Sequence, residues 1–157
     1  MNASTPAIVM LNDCGMSFRV HEFHHEPGGA NFGQAAAQAL AIDPDRVFKT
    51  LVVLVDERAT VAIVPVSGKL SLKLLAAAVG AKRAEMCPID IAERTTGYVI
   101  GGISPFGQKR QLPSVIDETC VLFDTIFVSG GKRGLDLEIA PADLVEVLAA
   151  TVAAIAQ

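Results

Sequence analysis

All three histidines of the chain fall in one stretch, HEFHHE at residues 21–26, with two glutamates among them. Side chains alternate along a strand, so His21 and His25 would share a face while His24 points away. That spacing matches no common ligand set, the neighbouring acids read as solvated, and no metal site is expected. Cys14, Cys87 and Cys120 are far apart and form no CxxC pair. They read as small, reduced, buried residues, and nothing beside them marks a thiolate nucleophile. Ser104 lies in GGISPFGQKR, residues 101–110. GISPFG is not a GxSxG elbow, and Pro105 directly after the serine removes an N–H that could serve an oxyanion. The chain therefore offers no evident nucleophile of its own.

Two glycine turns suggest anion binding. SGGKRG (129–134) has its first glycine out of place for a Walker loop, and Arg133 follows Lys132 where Ser or Thr is needed. VSGKLS (66–71) fails similarly, so no ATPase is expected. The Gly-Gly turn could still aim N–H groups at one anion, helped by Lys132 and Arg133, or it could be a plain hairpin turn. Lys49 interrupts the apolar run VFKTLVVLV. A lysine there either reaches the surface along its aliphatic stem or faces a pocket where an anionic ligand offsets its desolvation.

The elements that must position these groups follow from local signals. Thr5-Pro6 opens a helix that Gly15 closes, and FRVHEF alternates as a strand. Asn31 caps a short helix, FGQAAAQALA, which ends near Asp43-Pro44. VFKTLVVLV and TVAIVPV form a hairpin across DERA. Ser71 caps a helix with a glycine stop, KRAEM is a short strand, and PIDIAERT is a helix opened by proline. YVIGGIS, PSVIDETC and TIFVSGG read as strands, and LDLEIA leads into a helix from Pro141 to the end. Strands that follow one another through tight turns favour a mixed α+β domain over a doubly wound parallel sheet. No repeat, linker or low-complexity tract divides residues 1–157, so one domain is expected.

Composition narrows the class. Hydrophobic residues make up 51% and charged residues 19% of 157 positions, enough for a sizeable core. Apolar runs are too short to span a bilayer, and the N-terminus has no signal-peptide pattern. With reduced thiols, this points to a cytoplasmic protein. Net charge is −4, yet residues 66–112 carry seven Lys or Arg against three acids. A basic middle in an acidic chain fits a local polyanion site, or a solvated surface with chance clustering.

Five blocks taken together carry a resemblance: NFG (31–33), VFKTLVV (47–53), VPVSGKL (64–70), TTGYVIGGISPFGQK (95–109) and VSGGKRGLDLEI (128–139). In order and spacing they resemble the YbaK/EbsC-type aminoacyl-tRNA deacylases, most closely the Cys-tRNA(Pro) deacylase branch. The resemblance implies a domain like the editing insertion of prolyl-tRNA synthetases, a mixed, curved, barrel-like sheet flanked by helices. It implies hydrolysis of the ester in mischarged tRNA(Pro), most readily Cys-tRNA(Pro), with no cofactor, no DNA and no membrane. Aminoacylated tRNA is the expected partner, and prolyl-tRNA synthetase a candidate one. A non-catalytic RNA-binding or synthetase-associated module, or a deacylase preferring Ala-tRNA(Pro), is the alternative. Cysteine and proline are close in size, so one pocket discriminates poorly and a second sieve is needed.

By the family pattern Lys49, Thr50, Gly101 and Gly102 form the catalytic set. Phe23, Phe32, Ser104, Pro105, Ser129 and Asp136 surround the substrate. Lys82, Arg83, Lys109, Arg110, Lys132 and Arg133 are expected to meet RNA phosphates. Phe23 stands where relatives often carry tyrosine. In this branch the substrate cysteine's thiol is thought to attack its own carbonyl, which suits a chain without a nucleophile.

Overall fold

A computed structural model describes residues 4–24 and 32–157. The Thr5 hydroxyl accepts the Ile8 amide and Pro6 takes the first helical position, so α1 runs Pro6–Asp13. β1 (Arg19–Glu22) and α2 (Phe32–Leu40) follow. Asn31, expected to cap α2, and His25 lie outside the described residues. β2 (Phe48–Val55) and β3 (Arg58–Pro65) pair antiparallel from Phe48↔Pro65 to Val55↔Arg58. Their turn is shorter than the expected DERA. Only Asp56 and Glu57 remain, both left-handed at φ 46° and 70°, as a two-residue hairpin turn requires. The Lys82 and Arg83 amides donate to the Asp56 carboxylate and hold that turn.

Ser71 caps α3 (Leu72–Ala78) by accepting the Leu74 amide. β4 (Ala84–Met86) leads to α4 (Ile89–Thr96), which stops at left-handed Gly97. Next come β5 (Ser114–Asp117), β6 (Ile126–Lys132), β7 (Leu135–Ile139), α5 (Pro141–Leu148) and β8 (Thr151–Ala153).

Three expected elements differ. YVIGGIS is an irregular loop, not a strand, with Tyr98 and Ile103 buried and Val99 and Ile100 exposed. Gly101 is left-handed at φ 85°, the Gly102 amide turns back onto the Val99 carbonyl, and the Tyr98 hydroxyl donates to the Phe106 carbonyl. Strand PSVIDETC ends at Asp117, whose carboxylate accepts the Thr119 amide and starts a 3₁₀ turn over Glu118–Leu122. The final helix stops at left-handed Ala149, well short of the end. Asp117 also accepts the Ile155 and Ala156 amides, drawing the tail onto β5 as the parallel strand β8. These hydrogen bonds hold the Asp117 carboxyl below its ordinary range although burial pushes it up.

The strands form a three-stranded antiparallel sheet, β1-β7-β6, and a five-stranded mixed sheet, β4-β2-β3-β5-β8. The fold is α+β as expected. Instead of a closed barrel, the described residues show two sheets joined by a parallel bridge, Val47↔Phe127. The main core lies between them: Phe48, Val52 and Ile63 face Val128, Leu135 and Leu137, with Leu11 of α1 and Leu144 of α5 at the sides. α3 covers the other face of the large sheet through Leu75, packed on Val53 and Val64. α2 rests on the seam, with Ala36 and Ala37 against Val47, Val66 and Phe127.

Candidate active site

The seam opens into a cavity of about 390 Å³. Its position follows from strand pairing. β2 pairs with β3 along its whole length, but β4 covers its other edge only at Val53–Val55. The stretch from Phe48 to Leu51 is left without a strand on that side, and all four residues line the cavity. Lys49 and Thr50 are both half-buried there. Lys49 makes no hydrogen bond or ion pair among the described residues, so it does not spend its charge on a protein partner. The Thr50 hydroxyl oxygen is buried with no hydrogen-bond partner among the described residues, an arrangement that costs stability unless a ligand completes it.

The small sheet supplies the facing wall. Along β6 and β7, Ile126, Val128, Leu135, Leu137 and Ile139 point into the core, so the alternate positions turn the other way. Ser129 and Asp136 are cross-strand partners and both line the cavity, while His21 is the partner of Asp136 on β1. Asp136 is 7% exposed, and burial pushes its carboxyl up to about 7. His21 does not relieve it, because its Nε2 lies 2.9 Å from Glu138 Oε1. Glu138 is held below its ordinary range by the Thr125 hydroxyl, then by His21 and Arg46, against the opposing effect of burial. The His21–Glu138–Arg46 cluster went unnoticed in the sequence because its members meet only once β1 pairs with β7 in register.

The mouth is built from α2 and two turns. The Arg133 guanidinium stacks 4.7 Å from the Phe32 ring centroid, and its Nε donates to the Ile100 carbonyl at 2.9 Å. Gly101 lies beneath that ring, where a Cβ would stand 2.7 Å from Phe32 carbons. Phe23 enters the cavity from the end of β1, fixed by its amide to the Gly134 carbonyl.

The cavity thus gathers Phe23, Phe32, Lys49, Thr50, Gly101, Ser129, Arg133 and Asp136. Three residues expected beside them lie behind the wall. Gly102 is buried, with Lys132 Cα 2.8 Å from where its Cβ would be, so it admits the β6–β7 turn and not a ligand. Ser104 is 0% exposed, its hydroxyl accepting the Phe106 amide, and Pro105 is buried beside it. The remaining basic residues are exposed but dispersed. Lys82 and Arg83 sit at the far end of β2, roughly 20 Å from Thr50 by strand rise. Lys109 and Arg110 follow α4, with their amides on the Thr96 and Thr95 carbonyls. Arg133, expected to meet RNA phosphates, stands exposed at the cavity mouth.

Comparisons with known proteins give the family and the fold. The aminoacyl-tRNA editing domain family matches residues 26–147. The chain belongs to that family. It is 37% identical over 138 residues to an Enterococcus faecalis protein provisionally named Cys-tRNA(Pro)/Cys-tRNA(Cys) deacylase EbsC, covering 87% of this chain and 84% of that one. A crystal structure provisionally described as a trans-editing enzyme for prolyl-tRNA synthetase superposes with a TM-score of 0.85 at 24% identity, covering 99% of each chain. Another, of a hypothetical protein, reaches 0.87 at 21% identity over 98% of this chain and 100% of that one. These two share the fold. Among the described residues, no helix of this family member is long and apolar enough to cross a membrane.

Proposed function

We propose that this editing-domain protein deacylates mischarged tRNA(Pro) in trans, with Cys-tRNA(Pro) as its best substrate. The observation that carries this reading is a family cavity lined, among the described residues, by neither cysteine nor histidine. Cys87 and Cys120 are buried elsewhere, and burial raises both thiols, Cys120 to about 11. Ser129 lines the cavity without a base, its hydroxyl accepting the Gly131 amide. The nucleophile then comes from the substrate. The cysteinyl sulfur attacks its own ester carbonyl, the bond from carbonyl carbon to ribose oxygen breaks, and that oxygen takes up a proton. The products are deacylated tRNA and a thiolactone, which water opens.

In this reading the protein supplies orientation and electrostatic support. Lys49 lies against the terminal nucleotide or the developing oxyanion, Thr50 hydrogen-bonds the substrate, and Phe32 with Arg133 closes the mouth. Lys82, Lys109, Arg110 and Lys132 meet the phosphates of the acceptor arm, with Arg83 beside them. The test is ester loss from Cys-, Ser- and Ala-tRNA(Pro), measured with the wild type and with a variant in which all three cysteines are alanine. Cysteine should be released far faster than serine, and the variant should keep that rate. Equal rates for serine and cysteine would sink the substrate-thiol step.

A further inference from the structure

Asp136 is the buried charge for which the reaction above has no use. Its carboxyl makes no hydrogen bond and no ion pair among the described residues, although it is 7% exposed. Burial alone raises its pKa, with no cation acting in the other direction. The basic groups around it are engaged or remote. His21, its cross-strand partner, is held by Glu138, and Arg133 is held by the Ile100 carbonyl and the Phe32 ring. Lys49 lines the same cavity without pairing with Asp136. Ser129, across from it on β6, accepts the Gly131 amide. The cavity therefore keeps an uncompensated acid apart from an uncompensated base.

Such a layout suits a ligand that carries a cation and an anion on separated atoms. An aminoacylated nucleotide does: its α-amino group is an ammonium with three donors, and its terminal phosphodiester is an anion. We propose that the Asp136 carboxylate is the receptor for the α-ammonium group of the aminoacyl ester, so that the cavity admits only esters with a free amino group. The assignment rests on the deacylase reading and sharpens it. Carboxylate and ammonium each lose water on binding, and the charge-assisted hydrogen bond between them offsets that loss. N-acylated esters, such as those of peptidyl or formylated tRNA, bring a neutral amide instead and leave Asp136 unpartnered.

Binding is measured first, apart from hydrolysis. The probes are 3′-(L-alanylamino)-3′-deoxyadenosine, an amide with no cleavable ester, and its N-acetyl counterpart, titrated by calorimetry. Wild type should prefer the free amine by about thirtyfold or more, the scale of one charge-assisted hydrogen bond. Asp136→Asn, which keeps the shape and removes the charge, should bind the two probes within about threefold of each other. Equal binding by the wild type, no binding of the free amine, or a preference retained in Asp136→Asn overturns the proposal. The wild-type comparison decides it even if the variant does not fold. Deacylation of Cys-tRNA(Pro) and N-acetyl-Cys-tRNA(Pro) separates the two readings. Cleavage of both esters at one rate, with no probe preference, removes the ammonium site and leaves the deacylase. A probe preference with no ester cleavage removes the deacylase and leaves the ammonium site.

Discussion

Gly101→Ala tests how the mouth of the cavity is built. Position 101 is left-handed at φ 85°, where alanine costs about 1–2 kcal/mol. Its new methyl would also lie 2.7 Å from Cγ and Cδ2 of Phe32, whereas carbon atoms rest at about 3.5–4.0 Å, so the ring must retreat by about 1 Å. That retreat weakens the stacking of Arg133, now 4.7 Å from the ring centroid, for a further loss of about 0.5–1 kcal/mol. A total near 2 kcal/mol lowers Tm by about 4–8 °C in a chain of this size. Deacylation of Cys-tRNA(Pro) should fall further than stability, by about a hundredfold, because a wall of the cavity has shifted by about 1 Å. A double-mutant cycle isolates the cause. With Phe32→Ala already in place, Gly101→Ala should retain only its backbone penalty, leaving an interaction of about 1 kcal/mol between the two sites. An equal cost in both backgrounds, or a wild-type rate for Gly101→Ala, would refute the argument that Gly101 exists to seat Phe32.

Lys49→Met should melt at or above the wild-type temperature, since a half-buried charge without a protein partner is removed, yet lose most deacylation. Lys49→Arg should not restore it, because a planar fork replaces a compact charge. A Lys49→Met rate near wild type would take Lys49 out of the site. Asp117→Asn should destabilise by about 1–3 kcal/mol at pH 7, as amides that pinned the tail lose a charged acceptor. The folded Asp117 carboxyl titrates below its ordinary value of 3.8, so its contribution is present above that value and is lost as pH falls through the lower, folded one. The Tm gap between variant and wild type should therefore narrow as pH falls below 3.8, and a gap that stays constant throughout the acid range would contradict this.

Local chemistry was legible wherever a single residue decides a local structure. Thr5 and Ser71 cap their helices as their hydroxyls suggest, and the β2–β3 hairpin follows from two β-branched runs around a charged turn. What stayed hidden depends on partners distant in sequence. Ala149 gives no sign that a helix must end there, because the reason is a carboxylate at position 117. YVIGGIS has strand composition, but Gly101 and Gly102 are spent on close approaches to Phe32 and Lys132. The site divides in the same way. Lys49 announced itself as a charge in an apolar run, and the family blocks pointed to Thr50, Phe32 and Asp136. The isolation of Asp136 from the bases among the described residues, and the place of Arg133 at the cavity mouth, needed the register of β1, β7 and β6.

That register also sets a timetable. β6 and β7 are neighbours in sequence and can pair early, but β1 must wait for them: His21 and Glu138 are 117 residues apart. Closing so long a loop costs entropy before any contact repays it, so β1 docks late in folding. During translation the delay is enforced, because at 5–20 residues per second roughly ten seconds separate the synthesis of β1 from that of its partner. Until then Phe23 has no β6–β7 turn to rest on and the cavity lacks a wall. A growing chain emerges among ribosome-bound aminoacyl-tRNAs, the kind of ester this fold is proposed to cleave. Its topology keeps the hydrolytic pocket unassembled until β7 has been made.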